Sequence, residues 1–437
     1  MSKYLIQVNT SENSQNSTLP GITNIIDFSS NGELNSFEKH FWYNRDFFQL
    51  NYSIPTIDLF RLASSIYVID KTIPRKSSFD NWTRDIRLYF PVHEIDLWQK
   101  NSEILVDLLS FLTGDHWEVT FIQDHSIIPG VDEKVSKKGF PLNPQAVSLF
   151  SGGLDSFIGA IDSIDKNTRV ALVGHTDHAL VSKTQNNIYE KLNTNLKDRE
   201  FNLVQFFLQP KESQENTTRS RSILFLTLGA LVAASTNVKT LIVPENGMIS
   251  LNVPLTYGRI GSLSTKTTHP HTLKLFNDLL IGLGIDVQAI NPYQFKTKGE
   301  MIRDSANFEL SKQLAPETMS CSHSTAARWE GKPSNKHCGY CLPCLIRRAS
   351  LYMNNLDDPN QYAYDIHDPE FLKKNSEKLA DFRAVLYALE SRSFDSFLSK
   401  VIGTGPLYPK DKIGEFAQLY ERGLAELDNF IKKKELV

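Results

Sequence analysis

The pattern of apolar and polar positions is most regular in the middle of the chain. From about residue 146, short apolar runs alternate with longer segments of helical periodicity. The runs predict buried parallel strands at 146–150, 170–173, 203–208, 240–243 and 287–290. The segments between them predict helices at 157–164, 180–196, 220–234 and 272–283. This alternation predicts an α/β fold with a doubly wound, mainly parallel sheet, in which ligands bind beyond the carboxyl ends of the strands.

The segments on either side have other patterns. Two amphipathic stretches and one alternating run predict an α+β domain over residues 1–145, with helices at 57–69 and 94–112 and a strand at 117–122. A proline-containing turn at 141–144 ends this domain, so the central domain is predicted to span 146–350. A helical region is predicted over 351–437, with helices at 371–389 and 413–436. The polar stretch 9–17 predicts a mobile loop.

One glycine-rich turn follows the first central strand and Phe150, and it precedes a helix. It reads Ser151-Gly152-Gly153-Leu154-Asp155-Ser156. Two glycines let the backbone adopt positive φ and approach a ligand, so that successive N–H groups converge on phosphate oxygens. The serine hydroxyls and the helix N-terminus add donors and positive potential. Asp155 can cap the helix or hold a magnesium ion on the phosphates. The turn therefore predicts a phosphate site, with a ligand-free glycine-rich turn as the alternative.

All four cysteines lie in one short region of the sequence. Cys321 is followed by Cys338, Cys341 and Cys344, in which the spacings of two residues suit a metal knuckle. Four thiolates complete a tetrahedral zinc shell without an open position, so the pattern predicts a structural zinc site. An iron–sulfur cluster and isolated buried thiols remain as alternatives.

Composition and charge exclude several classes of protein. The 437 residues are 41% hydrophobic and 22% charged, which is typical of globular rather than disordered or fibrous chains. A net charge of −3 gives no broad attraction to nucleic acid, so nucleic acid is not expected as a direct partner. The chain has no apolar run of about 18 residues and no secretory signal at its start, which predicts a cytoplasmic location without a membrane partner. In that reducing compartment, metal ligation by the cysteines is favoured over disulfides.

Together, the loop and the cysteine knuckle resemble two known groups. The loop resembles that of the PP-loop ATP pyrophosphatases, and the order of loop and knuckle resembles the 7-cyano-7-deazaguanine synthases, the QueC family. The resemblance covers about residues 146–350. It implies ATP at residues 150–156 and zinc at the cysteines. Arg221 and Lys298 lie in segments that match the family, which implies that both stabilise charge on the reacting phosphates; surface cations on helices are the alternative.

Two segments depart from the family pattern. After the second central strand the chain reads Gly174-His175-Thr176-Asp177-His178, and Gly174 and His175 are expected to border the adenine. The family's substrate segment is replaced by residues 245–250 and 265–270. From these segments, the expected lining of the acceptor pocket is Glu245, Asn246, Thr267 and His269. The ATP chemistry is therefore expected to be kept while the acceptor differs.

With its long flanks, the chain most resembles the QueC-like proteins of bacterial anti-phage operons of the Qat type. The resemblance implies a ligase in which ATP adenylates the carboxylate of a 7-deazaguanine acid and the acyl group passes to an amine, on a protein partner from the same operon. The implied cofactors are ATP, Mg²⁺ and Zn²⁺. Two alternatives stay open, a synthase that makes the free nitrile with ammonia and a nucleotide-binding subunit of a defence complex.

Overall fold

The computed structural model describes residues 3–10, 18–29, 32–126, 128, 139–256, 266–323, 336–390 and 393–432. Three sequence-based predictions fall partly outside these ranges. They concern most of the loop at 9–17, the last residues of the helix at 413–436, and Thr265 in the segment 265–270. Within the described ranges, no helix is both long and apolar enough to cross a membrane.

The first part of the chain forms a four-stranded sheet with the order β2-β1-β3-β4, in which every pair of neighbours is parallel. Its strands alternate between buried and more exposed positions, most regularly in β3. The elements are β1 (Lys3–Asn9), β2 (Asn24–Asp27), α1 (Asn35–Phe48), α2 (Ile54–Thr72), β3 (Asp85–Val92), α3 (Ile95–Lys100), α4 (Ser102–Thr113) and β4 (His116–Gln123).

This sheet corrects the predicted α+β domain. Parallel neighbours need crossover connections, and the two amphipathic stretches are parts of those crossovers. The first lies within α2, between β2 and β3, and the second spans α3 and α4, between β3 and β4. The region is therefore of the α/β type. Strands β1, β2 and β3 were not predicted, although β3 alternates regularly. The helices between them were therefore not recognised as crossover connections.

The second sheet has the order β7-β6-β5-β8-β9, again with parallel neighbours. The predicted strands and helices of this region are confirmed, with bounds that shift by a few residues. Four short helices were not predicted, α8, α10, α11 and α12. The elements are β5 (Ala146–Leu149), α5 (Leu154–Lys166), β6 (Arg169–Thr176), α6 (Ala179–Asn195), β7 (Glu200–Phe207), α7 (Arg221–Ser235), β8 (Thr240–Ile242), α8 (Gly247–Leu251), α9 (Pro270–Gly282), β9 (Gln288–Ile290), α10 (Lys298–Arg303), α11 (Phe308–Leu314) and α12 (Leu342–Met353).

A single apolar core joins the two sheets. Phe60 of α2 and Leu241 of β8 belong to the same buried cluster, and α2 contacts α7. Every residue of α2 between 56 and 70 is buried, so this helix has no solvent-facing side there and lies inside the core. The predicted boundaries at 145/146 and 350/351 remain predictions, and α12 runs across the second of them.

The end of the chain is helical, as predicted, but the helix expected at 371–389 is broken. Asn375 ends α13, where its side chain bonds the Phe371 carbonyl, and a single 3₁₀ turn precedes α14. Asparagine and serine compete with helical hydrogen bonds in this way. Helix α16 contacts both α12 and α8, so this region packs against helices of the central region. The remaining helices are α13 (Pro369–Lys374), α14 (Ala380–Glu390), α15 (Phe394–Ile402) and α16 (Ile413–Ile431).

Candidate active site

The glycine-rich turn lies at the carboxyl end of β5, the central strand of the second sheet. From β5 the chain builds outward to β6 and β7 on one side, and later to β8 and β9 on the other. The position between β5 and β8 is therefore the switch point at which open α/β sheets bind ligands. The turn leads directly into α5, whose N-terminus faces the same edge.

Hydrogen bonds from serine hydroxyls shape the turn itself. The Ser156 hydroxyl accepts from the Ser151 backbone N–H at 3.2 Å and donates to the Gly153 carbonyl at 3.0 Å. Gly152 has φ +82°, a conformation that L side chains rarely adopt, and a Cβ there would stand 3.3 Å from the side chain of Thr184. A glycine at this position therefore serves both the backbone conformation and the fit against α6.

A cavity of about 330 Å³ opens beside the turn. Several predicted site residues line it, namely Ser151, Gly153, Leu154, Asp155, Ser156, Arg221, Glu245 and Lys298. The other lining residues were not predicted for this cavity, although Cys321 was predicted as a metal ligand. They come from the start of α6, from α8 and the segment before it, from the segment around Cys321 and from the start of α12, namely Leu180, Val181, Thr184, Pro244, Ile249, Met319, Ser320, Cys321, Ser322 and Pro343.

Asp155 is the centre of a buried polar group in this cavity. Its carboxylate lies 2.8 Å from the Lys298 ammonium and accepts a hydrogen bond of 2.7 Å from the Asn246 side chain. Burial alone would raise the pKa of Asp155, but the Lys298 charge and these hydrogen bonds hold it at about 2. Asp155 is therefore ionised at neutral pH. Lys298 is buried as well, so it is not the exposed helix cation that was the alternative.

Glu245 adds a second carboxyl group beside the first. Burial raises its pKa well above the ordinary value, and the adjacent Asp155 charge raises it further. Both causes favour the neutral form of Glu245, and its side chain is hydrogen-bonded to Asp155. Once Glu245 gives up its proton, two carboxylates in contact at one wall of the cavity offer the hard oxygen ligands that Mg²⁺ prefers, so these residues fit that ion.

Arg221 reaches the cavity from the first residue of α7. Its Nε donates to Nδ1 of His175 at 3.1 Å, while Nε2 of His175 lies 3.1 Å from the Leu208 carbonyl. Burial, followed by the Arg221 charge, lowers the pKa of His175 to about 3, so the imidazole is neutral. His175 thus orients Arg221. Because Nδ1 of His175 accepts from Arg221, the proton of the imidazole is assigned to Nε2, which donates to the Leu208 carbonyl.

The structure does not bring every predicted residue to this cavity. Phe150, Gly152, Gly174 and His175 lie behind its lining. Asn246 is fully buried and caps α8 through its side chain. Thr267 and His269 are elsewhere, since His269 pairs with Thr404 at 2.9 Å and caps α9. The expected acceptor pocket is therefore divided between two places, and the assigned roles of all these residues remain predictions.

The four cysteines come together as the spacing predicted. Their sulfur atoms all lie within 4.8 Å of one another, and the Cys338 and Cys344 sulfurs are 3.8 Å apart. A tetrahedron with Zn–S bonds of about 2.3 Å has sulfur–sulfur edges of about 3.8 Å, so the cluster fits zinc. Three of the four cysteines are buried, which suits a structural role.

The cysteine region also holds one lip of the cavity. Just before Cys321, the Met319 N–H donates to the Gly152 carbonyl at 3.0 Å, and the Ser320 hydroxyl accepts from the Leu154 N–H at 3.1 Å. The segment that leads to the first metal ligand is therefore hydrogen-bonded to the glycine-rich turn. No local motif identifies Met319 or Ser320, although their position directly before the first ligand was a usable signal.

A residue of the last helix supports Lys298. Thr297 caps α10, and its hydroxyl and the Gly299 N–H both donate to the Glu426 carboxyl group of α16. Burial raises the pKa of Glu426 to about 7. Because Glu426 fixes the first turn of α10, it also positions Lys298 at the start of that helix. Nothing in the sequence around Glu426 indicates this contact.

No protein-family model matches the chain. Over 93 residues it is 28% identical to each of the 7-cyano-7-deazaguanine synthases of Brucella ovis, Brucella canis and Brucella suis. The match covers 21% of this chain, and the chain spans only 33% of the length of these relatives. Among solved structures, a ketoreductase domain from the bacillaene assembly line is similar over 66% of this chain and 80% of that domain, at 11% identity and a TM-score of 0.19, which does not establish a shared fold. The sequence similarity supports a distant QueC-like relation and no finer assignment.

Proposed function

We propose that the chain is a PP-loop-type, ATP-dependent ligase that activates a carboxylate as an acyl adenylate. The observation that carries the proposal is the convergence of Asp155, Lys298, Glu245 and Arg221 on one cavity at the end of β5, beside the glycine-rich turn. Two cations, a helix N-terminus and backbone N–H groups meet there. This is an arrangement that stabilises negative charge on a polyphosphate.

In the proposed reaction, a carboxylate oxygen of the substrate attacks the α-phosphorus of ATP and the bond to pyrophosphate breaks. An amine then attacks the acyl carbon and loses a proton. AMP leaves, and it keeps the carboxylate oxygen that attacked the α-phosphorus in the first step. Lys298 and Arg221 stabilise the charge that develops on the phosphates. The N–H groups of Ser151 and Leu154 now donate to serine hydroxyls, and a phosphate oxygen is a stronger acceptor for the same donors.

The cofactors follow from the side chains present. Asp155 and Glu245 would hold a magnesium ion, which neutralises part of the triphosphate charge when it is bound. Cys321, Cys338, Cys341 and Cys344 would hold zinc in a closed shell. Because that shell leaves no open position, zinc supports the lip formed by Met319 and Ser320 and takes no part in the reaction.

The substrate that we propose is 7-carboxy-7-deazaguanine, because the similar Brucella proteins are named as 7-cyano-7-deazaguanine synthases. The proposed acceptor is an amine on a protein partner encoded in the same anti-phage operon. The additional sheet and the helical end of the chain support an acceptor other than ammonia, since the chain carries both regions besides the central sheet.

Release of pyrophosphate tests the activity. Zinc-replete protein with its operon partners is expected to release pyrophosphate from ATP only when 7-carboxy-7-deazaguanine is present. Asp155→Asn is expected to abolish this release, whereas Asp165→Asn, an exposed position near the end of the same helix, is the matched control. Release that does not depend on the acid, or no release at all, would overturn the proposal.

A second candidate is a synthase that uses ammonia and releases the nitrile, which the name of the Brucella relatives favours. Mass spectrometry of the products separates the two. A mass increase on a partner protein supports the ligase, and free 7-cyano-7-deazaguanine supports the synthase.

A further inference from the structure

The end of helix α2 lies beside α7, the helix that begins at Arg221. Helix α2 belongs to the first sheet region, whereas α7 belongs to the second. Asp70 and Lys71 follow Tyr67 by three and four residues, so the three side chains lie on one face of α2. Tyr67 and Asp70 are almost fully buried. This face of α2 therefore offers buried polar contacts from the first region to the second.

The backbone at the end of α2 holds the connection that leads from β7 to α7. The last carbonyls of a helix have no partner within it. One of them, the Lys71 carbonyl, accepts from the backbone N–H groups of Gln214 and Glu215, at 2.8 and 3.0 Å. The Glu215 carboxylate accepts in turn from the Arg75 N–H at 2.7 Å. The connection is therefore fastened to the first region before α7 begins.

Asp70 fixes the start of α7. One oxygen of its carboxylate accepts from the Ser220 hydroxyl at 2.8 Å, from the Ser220 N–H at 3.2 Å and from the Thr217 hydroxyl at 3.1 Å. Ser220 is the capping residue of α7 and directly precedes Arg221, and its N–H is one of those that a helix leaves without an internal partner. A negative charge at a helix N-terminus also stabilises the helix. Asp70 therefore sets the position of the Arg221 backbone.

The Asp70 carboxylate is itself held by the first region. Its other oxygen lies 2.6 Å from the Arg84 guanidinium and 3.3 Å from that of Arg75. Burial alone would raise the pKa of Asp70, but the Arg84 charge and the hydrogen bonds from Arg84 and Ser220 lower it. Asp70 is therefore an ionised link, with arginines of the first region on one oxygen and the start of α7 on the other.

Tyr67 reaches the side chains around Arg221. Its hydroxyl donates to the Asp177 carboxylate at 3.2 Å, and its ring meets that of His175 edge to face, with 5.6 Å between the ring centres. His175 is the residue that accepts from the Arg221 guanidinium. Burial alone would raise the pKa of Asp177, but the Arg221 charge lowers it, so this carboxylate is ionised and attracts the guanidinium. Tyr67 therefore contacts both groups that orient the Arg221 side chain.

We propose that Tyr67 and Asp70 are positioning residues for Arg221, so that the first sheet region completes the arrangement of cations in the cavity beside the turn. Asp70 places the backbone of Arg221 through Ser220. Tyr67 orients the side chain through its two acceptors. Neither Tyr67 nor Asp70 is among the described residues that line the cavity, so both act without contact with a ligand there. The inference rests on the proposed function, which gives Arg221 its role at the phosphates.

Calorimetric titration of the full, zinc-replete chain with α,β-methylene-ATP and Mg²⁺ tests the proposal. This analogue keeps all three phosphates but cannot release pyrophosphate, so binding is measured without turnover. Arg221→Met is expected to weaken binding by about tenfold or more, because it removes a cation from the phosphates. Tyr67→Phe and Ser220→Ala each remove a single hydroxyl group and are expected to weaken binding by about threefold to tenfold.

The variants are chosen to disturb little else. Asp70 is left in place, because its replacement would also remove a carboxylate partner from Arg75 and Arg84. Tyr43→Phe, at an exposed position on α1 of the same region, is the matched control and should bind the analogue as the unchanged protein does. Melting curves verify that each variant is folded.

Double variants separate positioning of Arg221 from a general loss of structure. If both hydroxyl groups act through Arg221, adding Tyr67→Phe or Ser220→Ala to Arg221→Met should weaken binding no further. Losses that add to that of Arg221→Met, or unchanged binding in both single variants, would overturn the inference and leave the proposed function standing. Equal binding by Arg221→Met and the unchanged protein, or no binding below about 10 mM, would overturn the role of Arg221 in the proposed function and the inference with it.

Discussion

The two cavities hold their cations in different ways. In the first, Lys298 is paired with Asp155 at 2.8 Å, and Arg221 is held by a neutral His175. A second cavity is lined by Trp82, Phe111, Arg219 and Lys266, among other residues. In this second cavity, Lys266 and Arg219 lie against the two aromatic rings. A buried carboxylate compensates most of a cation's charge, whereas the face of an aromatic ring compensates less of it. The first cavity therefore holds Lys298 by charge pairing, and the second holds its cations against aromatic faces.

The largest effect on stability is expected from loss of the metal. We infer that, of the two cavities, only the first depends directly on the metal. Cys344→Ser removes one of four thiolates, and we expect zinc loss and destabilisation on the order of 5 kcal/mol or more. Zinc content and melting temperature measure both. In a chelator-treated sample, zinc but not magnesium should restore the melting temperature. A chain that is equally stable without zinc would contradict a structural metal at Cys321, Cys338, Cys341 and Cys344.

The next prediction contrasts the two buried lysines directly. Lys298→Met leaves the Asp155 carboxylate buried without its cation, so we expect a loss of stability of about 3–5 kcal/mol. Lys266→Met removes a charge that has no carboxylate partner among the described residues, so its stability should be unchanged or higher. Chemical denaturation of both variants measures the difference. Equal destabilisation of the two would remove the distinction between the cavities.

A smaller, pH-dependent effect is expected at Glu426, which supports Lys298 from the end of the chain. Its pKa rises from 4.5 in the unfolded chain to about 7 in the folded one, so the folded state holds the proton. The stability that this provides is complete below about pH 4.5 and is lost as the pH rises to about 7. Glu426→Gln should therefore gain up to roughly 3 kcal/mol relative to the unchanged protein between pH 5 and pH 8.

Denaturation at a series of pH values measures this gain. Glu421→Gln, an exposed position on the same helix, is the control and should give a parallel curve. A constant difference between Glu426→Gln and the unchanged protein over this range would contradict the protonated carboxyl group at Thr297.

The smallest effect concerns the backbone of the turn. Gly152→Ala places a Cβ on a residue with φ +82°, at 3.3 Å from Thr184, and should cost about 1–2 kcal/mol and weaken ATP binding. Gly414→Ala, where a Cβ meets nothing within 4 Å, is the control. Denaturation and ATP titration measure the two effects. Unchanged ATP affinity in a folded Gly152→Ala protein would count against the turn as the phosphate site.

The same contrast explains how much the sequence could predict. The residues of the turn, 150–156, follow one another directly, and the four cysteines also lie near one another in the chain. Short-range patterns therefore sufficed to locate the turn and, separately, the metal ligands. The strands of the second sheet were predictable because each is a short apolar run. Glu426 contacts Thr297 across 129 residues, and Trp82 and Thr404 line one cavity although they are farther apart in the chain. Such contacts depend on tertiary packing, which no local pattern encodes.

His175 illustrates the limit in one residue. It follows an apolar run, and a place beside the adenine was a reasonable expectation. Strand β6 continues through Thr176 and pairs with β7 along its length, so His175 is enclosed and bonds the Leu208 carbonyl. Its contribution is to orient Arg221 by accepting a hydrogen bond from its guanidinium group. The length of a strand in the sheet, and not its sequence alone, decided which side chain reached the cavity.

Transfer of labelled oxygen tests the central claim most directly. If 7-carboxy-7-deazaguanine attacks the α-phosphorus of ATP at the turn, AMP must keep one of the carboxylate oxygens. With oxygen-18 in the carboxylate, zinc-replete protein and its partners should yield AMP that carries one heavy oxygen, as measured by mass spectrometry. Unlabelled AMP, or ADP and phosphate in place of AMP and pyrophosphate, would contradict carboxylate adenylation.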